Sequence, residues 1–177
     1  MSVLVRRIAI IGAECVGKTE LVQRLAERLP GLWIPEYLRE FCDRVARTPL
    51  PDEQAQIIAE QQAREEQTIA QAQSGPFKWV LADSAPLVTA AYSEMLFADV
   101  SLYAQAIAHH ARYDATLLLT PDLPWIADGI QRDGAAVRET FHDLLLQRLQ
   151  AARLPFTQVA GIGEQRWRNA LAALRDL

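Results

Sequence analysis

The segment GAECVGKT, residues 12–19, constrains more than any other feature what this chain can fold into. Its spacing, G-x-x-x-x-G-K-[ST], is that of a phosphate-binding loop, in which backbone amides and a helix N-terminus hold phosphate groups. An apolar run, residues 8–11, precedes the loop, and a helical pattern over residues 18–29 follows it. A glycine-rich turn that binds nothing would not need these flanks. The combination of strand, loop and helix therefore predicts a nucleoside triphosphate site.

Individual positions in this loop have distinct expected roles. Gly12 and Gly17 allow backbone torsions and a close approach that a Cβ atom would obstruct. Lys18 is expected to bring a mobile positive charge to the transferring phosphoryl group, and Thr19 a hydroxyl ligand to Mg²⁺. We interpret Cys15 as a small residue at a variable position rather than as a reactive thiol. The loop residues that complete the expected nucleotide contacts are Ala13, Glu14 and Val16.

Composition narrows the class of protein further. The chain has 177 residues, 50% of them hydrophobic, which suits one α/β domain with a substantial core. A net charge of −4 argues against a nucleic-acid partner, because nucleic-acid-binding proteins usually present a basic surface. Cys15 and Cys42 form neither a metal-binding nor a disulfide pattern. The sequence lacks an apolar run of about 18 residues, so we expect a cytoplasmic protein with no signal peptide and no membrane partner.

Extended and helical patterns alternate along the chain, which predicts a mostly parallel sheet with helices on both faces. The predicted strands are residues 7–11, 32–34, 78–83, 115–120 and 156–160. A long polar helix over residues 51–73 carries a thin apolar stripe, so we expect it to cover the periphery rather than join the core. We expect residues 1–177 to form a single domain.

Two acids follow predicted strands and are candidates for chemistry. Asp83 ends an apolar strand, and ligands of open α/β sheets bind at the carboxyl ends of strands, so Asp83 is expected beside the loop as a ligand of Mg²⁺ or substrate. The alternative is that it caps the helix that begins near Pro86. Glu36 ends the second extended segment and is the first candidate for the base that accepts a proton from an alcohol, with Asp83 the second. As a plain helix-start acid, Glu36 would need no function.

A long, charged connection, residues 121–138, follows the fourth strand and is predicted to be a lid over the site. Arg132 and Arg138 are candidates to move onto the transferring phosphates, although most surface arginines are merely solvated. Trp125 either stacks on an aromatic ring of the substrate or anchors the lid to the core. The three histidines, His109, His110 and His142, lack metal spacing, and we assign them no role.

These motifs together resemble a known family. The chain is similar to the ribosylnicotinamide kinase domain of the bifunctional NadR-type adenylyltransferase/kinases, a branch of the P-loop nucleoside and nucleotide kinases. The most specific segment is PWIADGIQ, residues 124–131, which is close to the Pro-Trp-Val-Ala-Asp-Gly-Leu-Arg type of that family. The other segments that carry the resemblance are residues 12–19, PEYLRE at 35–40, Asp83-Ser84, ARYD at 111–114 and ETFHDLL at 139–145.

The resemblance implies an α/β P-loop fold, with about five parallel strands sandwiched by helices and a lid after the fourth strand. It implies transfer of the ATP γ-phosphate, with Mg²⁺, to a ribosyl hydroxyl of nicotinamide riboside or a related nucleoside. The positions of this chain that match its substrate pocket are Glu36, Tyr37, Arg39, Asp83, Trp125 and Asp128. Two positions depart from the family pattern: Ala85 stands where a second acid is typical, and Gln131 where a lid arginine is typical.

Three functions are compatible with these observations. An ATP- and Mg²⁺-dependent kinase of a nucleoside-like small molecule is the leading hypothesis, because Trp125 and the acids suggest a pocket for an organic substrate. A P-loop ATPase or nucleotide-binding regulator without a phosphate acceptor shares the loop. A kinase for a different nucleoside, such as a deoxynucleoside, would differ only in the acceptor pocket. The sequence does not determine the oligomeric state or the preferred base of the phosphate donor.

Overall fold

The fold is built on one parallel sheet of five strands, as the sequence predicts. The structure is a computed structural model that describes residues 4–125, 134–175 and 177. The strands, in the spatial order β2-β3-β1-β4-β5, all run in the same direction. Their bounds are β1 Arg6–Ile11, β2 Gly31–Ile34, β3 Trp79–Asp83, β4 Ala115–Leu119 and β5 Thr157–Val159.

Helices connect the strands, and apolar clusters cover both faces of the sheet. Val80 and Ala82 of β3 pack in one buried cluster, whereas Leu81, which points the opposite way, packs in the main one. A short 3-10 helix spans Pro51–Glu53. The α-helices of the described residues are α1 Lys18–Arg28, α2 Tyr37–Val45, α3 Gln54–Ser74, α4 Pro86–Phe97, α5 Tyr103–His110, α6 Ala135–Ala151 and α7 Glu164–Ala173.

The strand register brings the expected site residues to one edge of the sheet. In the central strand, Ile10 pairs with Asp83 on one side and with Leu117 on the other, while Ile34 at the end of β2 pairs with Ala82. Parallel strands therefore deliver their following residues to the same edge. The phosphate-binding loop, the acid of β3, the start of α2 and the connection after β4 all meet there.

The expectation that the long polar helix is peripheral is wrong. In α3, Ile58 belongs to the main core cluster, and Ile69 packs against β2 and β3. The apolar Ala55 of this helix is exposed, whereas Glu65 is only 2% exposed. Both Glu65 oxygens accept hydrogen bonds from the Tyr113 hydroxyl at 2.8 Å. Part of the buried face of α3 is thus polar and hydrogen-bonded within the protein. The spacing of hydrophobic residues alone therefore underestimates how much of this helix is buried.

Several boundaries differ from the predicted ones. The residue pattern predicts helices over residues 100–112 and 164–177, and both are shorter in the structure, at Tyr103–His110 and Glu164–Ala173. Residues 135–138 of the expected lid form the first turn of α6. Within the described ranges, no helix has both the length and the apolarity that a membrane span requires.

Candidate active site

The phosphate-binding loop follows β1 and contains two positions where the backbone conformation and the close neighbours require glycine. Gly12 has a φ of +154°, and a Cβ there would lie 3.1 Å from the carbonyl oxygen of Leu119. Gly17 has a φ of +79°, and its Cβ would lie 3.2 Å from Leu123 Cδ1. Gly17 is also the N-cap of α1, and none of the described side chains makes a capping hydrogen bond there. The first amides of α1 therefore stay available for an anion.

Lys18 folds back over this loop. Its Nζ donates to the carbonyl oxygens of Gly12 at 3.2 Å and of Ala13 at 2.8 Å. The ammonium group is thus held at the loop itself, where its charge is available to phosphate oxygens bound by the loop amides.

Thr19 and Asp83 form a compact oxygen cluster beside the loop. The Thr19 hydroxyl donates to Asp83 Oδ2 at 2.6 Å, and Asp83 is 2% exposed. The other carboxylate oxygen, Oδ1, is buried without a hydrogen-bond partner among the described residues. A buried, unpaired carboxylate oxygen next to a hydroxyl suits a hard divalent cation, and Mg²⁺ usually takes one or two such groups together with phosphates and water. The pair therefore fits the Mg²⁺ role that the sequence predicts.

The backbone after β3 aims Asp83 at the loop. Ser84 has a φ of +73°, and its N–H donates to the carbonyl oxygen of Ile10 at 2.9 Å. The capping alternative is not supported, because the N-cap of α4 is Ala85 and none of the described side chains caps that helix. Where the structure describes the chain, it contains no cluster of three or more His, Cys, Asp or Glu residues that could hold a metal without a ligand's help.

Glu36 lies close to Lys18 and Asp83. Burial raises the pKa of its carboxyl group, and the charge of Asp83 raises it further, while Lys18, Arg39 and a hydrogen bond with Ser84 act against this rise. Glu36 is the N-cap of α2 but makes no side-chain capping bond to that helix. Its carboxyl group is therefore available for chemistry, with a proton affinity shifted toward that of a general base.

One cavity of about 440 Å³ is lined by Lys18, Thr19 and Glu36 together. Its volume is in the range that binds small organic ligands, and it places the phosphate-binding loop, the start of α2 and the chain after β4 around a common space. The residues that line it are Cys15, Val16, Gly17, Lys18, Thr19, Glu20, Glu36, Arg39, Leu123 and Pro124. The predicted substrate residue Arg39 is thus part of the cavity wall.

Tyr37 lies outside that wall. Its ring is 5% exposed, and the Arg64 guanidinium carbon sits 4.5 Å above the ring centroid. Its hydroxyl accepts a hydrogen bond from Arg44 at 3.1 Å, and its N–H donates to Gln61 at 2.9 Å. The contacts with Arg64 and Gln61 pack α2 against α3. Tyr37 is not among the residues that line the cavity, and its contact with a substrate stays a prediction.

Trp125 and Arg138 both fix the connection after β4. The Trp125 Nε1–H donates to the Glu14 carboxylate at 3.2 Å, which ties this connection to the phosphate-binding loop. Arg138 is 6% exposed and donates to the carbonyl oxygens of Leu123 at 2.8 Å and Pro121 at 3.3 Å. The expected mobile arginine is therefore held in the first turn of α6, and its action on phosphates stays a prediction. The other two predicted lid residues, Asp128 and Arg132, lie outside the described residues.

Arg166 of α7 is a site residue that the sequence did not reveal. It is 5% exposed, and its guanidinium donates to the Val16 carbonyl of the phosphate-binding loop and to the Thr120 carbonyl at 2.9 Å. Burial lowers the pKa of Arg166, and the nearby Asp122 carboxylate opposes this effect. The residue types around Arg166 carry no signal of these contacts, because the acceptors at Val16 and Thr120 are backbone carbonyls.

Comparisons with known proteins identify the family of this chain and a curated relative. A family model described as an AAA domain matches residues 7–166. The chain belongs to this AAA domain family. It is 30% identical over 162 residues to the "Trifunctional NAD biosynthesis/regulator protein NadR" of Escherichia coli strain K12. That alignment covers 88% of this chain and 38% of the relative, so the chain spans about two-fifths of the length of the curated relative.

Solved structures support the same fold. NadR protein in complex with NR superposes with a TM-score of 0.82 at 23% identity, over 98% of this chain and 51% of that one. NadR protein in complex with NAD and AMP-PNP gives 0.77 at 22% identity, over 98% and 49%. Thymidylate kinase from Ehrlichia chaffeensis gives 0.67 at 16% identity, over 98% and 100%. The predicted P-loop kinase-like fold and the resemblance to NadR-type proteins are thereby confirmed.

Proposed function

We propose that this chain transfers the γ-phosphoryl group of ATP to a ribosyl hydroxyl of nicotinamide riboside or a related nucleoside. The observation that carries the proposal is the shared cavity. The loop lysine, Lys18, and the acid Glu36 both line it. A phosphate donor and an alcohol acceptor need these two groups on either side of the transferring phosphorus.

Different residues of the chain have separate roles in the proposed reaction. The loop amides and the N-terminus of α1 bind the β- and γ-phosphates, and Lys18 places positive charge where negative charge spreads during transfer. Glu36 orients the acceptor hydroxyl and accepts its proton, a role suited to a carboxylate whose pKa is raised. Thr19 and Asp83 would hold Mg²⁺, which neutralises phosphate charge when it is bound.

The acceptor assignment is supported by the relatives. The similar curated protein is named for NAD biosynthesis, and one similar structure contains NR, the abbreviation for nicotinamide riboside. Another contains AMP-PNP, an ATP analogue, which supports ATP as donor. Trp125 directly follows Leu123 and Pro124 of the cavity wall, so contact of its ring with the nicotinamide ring is the alternative to a role as an anchor on Glu14.

Incubation of the purified chain with ATP, Mg²⁺ and a panel of nucleosides, with products read by mass, tests the proposal. We expect a phosphorylated product from nicotinamide riboside and stoichiometric ADP. If ADP forms equally with and without every acceptor, the chain is an ATPase and the kinase proposal is wrong. If another nucleoside is phosphorylated and nicotinamide riboside is inert, the kinase class stands and the acceptor assignment is wrong.

The two lysines of the chain provide a matched pair of variants. Lys18→Ala should lower turnover by about 100-fold or more, because it removes charge from the transition state. Lys78→Ala removes an exposed lysine far from the loop and should leave turnover unchanged. Equal turnover of the two variants would contradict the mechanism.

A further inference from the structure

We propose that Arg166 is a positioning residue for the phosphate donor: it sets the orientation of the Val16–Gly17 peptide in the phosphate-binding loop. The inference rests on the proposed use of ATP and adds a residue from the far end of the chain to the donor site. Arg166 lies 150 positions after Val16.

One hydrogen bond from Arg166 defines the direction of the Val16–Gly17 peptide group. Arg166 Nη1 donates to the carbonyl oxygen of Val16. The described chain contains no cis peptide bond, and in a trans peptide the C=O and the following N–H point in opposite directions. A carbonyl turned toward Arg166 therefore turns the Gly17 N–H away from it. Gly17 lines the cavity, so its N–H is presented to a phosphate there.

Because residue 17 is glycine, the orientation of the preceding peptide needs an additional contact to hold it. Gly17 has a φ of +79° and no side chain, so the peptide that precedes it has little steric restraint of its own. A rotated peptide would place a carbonyl oxygen where the phosphate oxygens bind. The arginine makes that rotation costly, because the rotated carbonyl would leave a buried guanidinium donor without its acceptor.

Arg166 is itself fixed from several directions. Its Nε donates to the Gly161 carbonyl at 2.7 Å, and its Nη2 donates to the Thr120 carbonyl at 2.9 Å and lies 3.4 Å from Asp122 Oδ2. The same Asp122 oxygen accepts hydrogen bonds from the Gly161 N–H and from the Thr120 hydroxyl. The guanidinium thus connects the phosphate-binding loop to the chain ends after β4 and β5. A planar guanidinium group with five N–H donors can bind all of these acceptors at once, whereas a lysine ammonium group cannot.

Equilibrium binding of ATP and of inorganic tripolyphosphate to the full chain tests the inference without any acceptor. We expect Arg166→Gln to weaken both ligands by a similar factor, about 10- to 100-fold, because one charge-assisted hydrogen bond to phosphate is lost. Affinity for the acceptor nucleoside should change less than about twofold, since its contacts lie elsewhere. In turnover, KM for ATP should rise while KM for the acceptor stays the same.

Arg168→Gln is the matched control, because Arg168 is exposed on the same helix and carries the same charge. Thermal unfolding establishes that each variant is folded at the assay temperature. If Arg166→Gln does not fold, Arg166→Lys decides the matter, since it keeps the charge and at most one of the carbonyl contacts; partial loss of ATP affinity is expected. A folded Arg166 variant that binds ATP and tripolyphosphate as tightly as Arg168→Gln would overturn the inference.

The outcomes also separate this inference from the proposed function. If the wild-type chain binds ATP but phosphorylates no nucleoside, the proposed function fails and the role of Arg166 is still measured by binding. If the wild-type chain binds neither ATP nor tripolyphosphate, both proposals are wrong. A loss of affinity for the acceptor as large as that for ATP would indicate a general structural role and contradict a specific effect on the loop.

Discussion

The hydroxyl of Thr19 donates to the carboxylate of Asp83 across 2.6 Å, although the two residues are 64 positions apart. The contact joins the first turn of α1 to the carboxyl end of β3, and the parallel pairing of β1 with β3 makes it possible. Asp83 keeps its second oxygen buried and unpaired among the described residues. A Mg²⁺ ion bound beside Thr19 would give this oxygen a partner, which is the role that we propose for Asp83.

Asp83→Asn should impair the use of Mg²⁺ while it preserves the fold. The amide has the same shape and can still accept the Thr19 hydrogen bond, but it lacks the charge that attracts a divalent cation. We expect the rate at saturating ATP to fall by about 100-fold, with a higher Mg²⁺ concentration needed for half-maximal rate. Measurement of rate against free Mg²⁺ checks this. Asp143→Asn, an exposed acid of α6, is the control, and an unchanged Mg²⁺ profile for Asp83→Asn would exclude Asp83 as a metal ligand.

Glu36→Gln should remove the acidic limb of the pH–rate profile. A general base acts in its deprotonated form, so the wild-type rate should rise with pH through the pKa of Glu36. Burial places that pKa above the ordinary value of 4.5. The variant should lose about 100- to 10,000-fold in kcat and show a flat rate over that range. A full profile of kcat/KM for both proteins provides the measurement. Glu27→Gln, exposed on α1, should behave as wild type; an acidic limb that survives in Glu36→Gln would assign the base elsewhere.

The sequence was sufficient for the features that depend on local pattern. The phosphate-binding loop, the parallel sheet and the acid at the end of β3 each follow from residues that are adjacent in the chain. The packing of Tyr37 was not predictable in this way. Its ring lies under Arg64, and its N–H meets Gln61, so its burial depends on how α2 and α3 are brought together.

Arg138 and Arg166 show a second limit of sequence interpretation. An arginine in a polar stretch is usually interpreted as a surface cation, yet both guanidinium groups are buried and donate to backbone carbonyls. These acceptors are peptide oxygens, which every residue has. The residue types in the sequence therefore do not indicate which carbonyl such an arginine will bind. Only the tertiary fold reveals which arginine holds which loop.

His110 should make the fold sensitive to mild acid. Burial lowers its pKa from 6.5 to about 4, with a smaller contribution from His109. Between these two pH values the unfolded chain binds a proton that the folded chain does not, so stability falls as pH decreases through 6.5 and levels off near 4. The lost free energy of unfolding should reach about 3 kcal/mol, at about 1.4 kcal/mol per pH unit.

Urea unfolding of wild type and His110→Asn from pH 7.5 to 4.5 measures this effect. The variant should be less stable at neutral pH, because it loses the hydrogen bond of His110 with Thr116 at 2.9 Å and the ring contact with Tyr113. Its stability should nevertheless depend less steeply on pH below 6.5. Parallel curves for the two proteins would mean that other groups cause the acid sensitivity.

Trp125 and Glu14 should act as a coupled pair in substrate binding. Trp125→Phe keeps an aromatic ring and removes the Nε1–H that donates to Glu14 at 3.2 Å. If the hydrogen bond anchors the chain after β4 to the phosphate-binding loop, Trp125→Phe and Glu14→Ala should each lower kcat/KM by about 3- to 10-fold, because each removes one partner of the bond. The double variant should then lose little more than either single one, because the shared contact is already gone.

A stacking role for Trp125 gives a different pattern in the same double-mutant cycle. Loss of ring area would then weaken acceptor binding through Trp125→Phe alone, and the effects of the two substitutions would multiply. Measurement of kcat/KM for the acceptor in all four proteins distinguishes the two roles. We expect coupling, because the indole nitrogen already has its partner in the loop. Independent effects would contradict the anchor and favour direct contact with the acceptor ring.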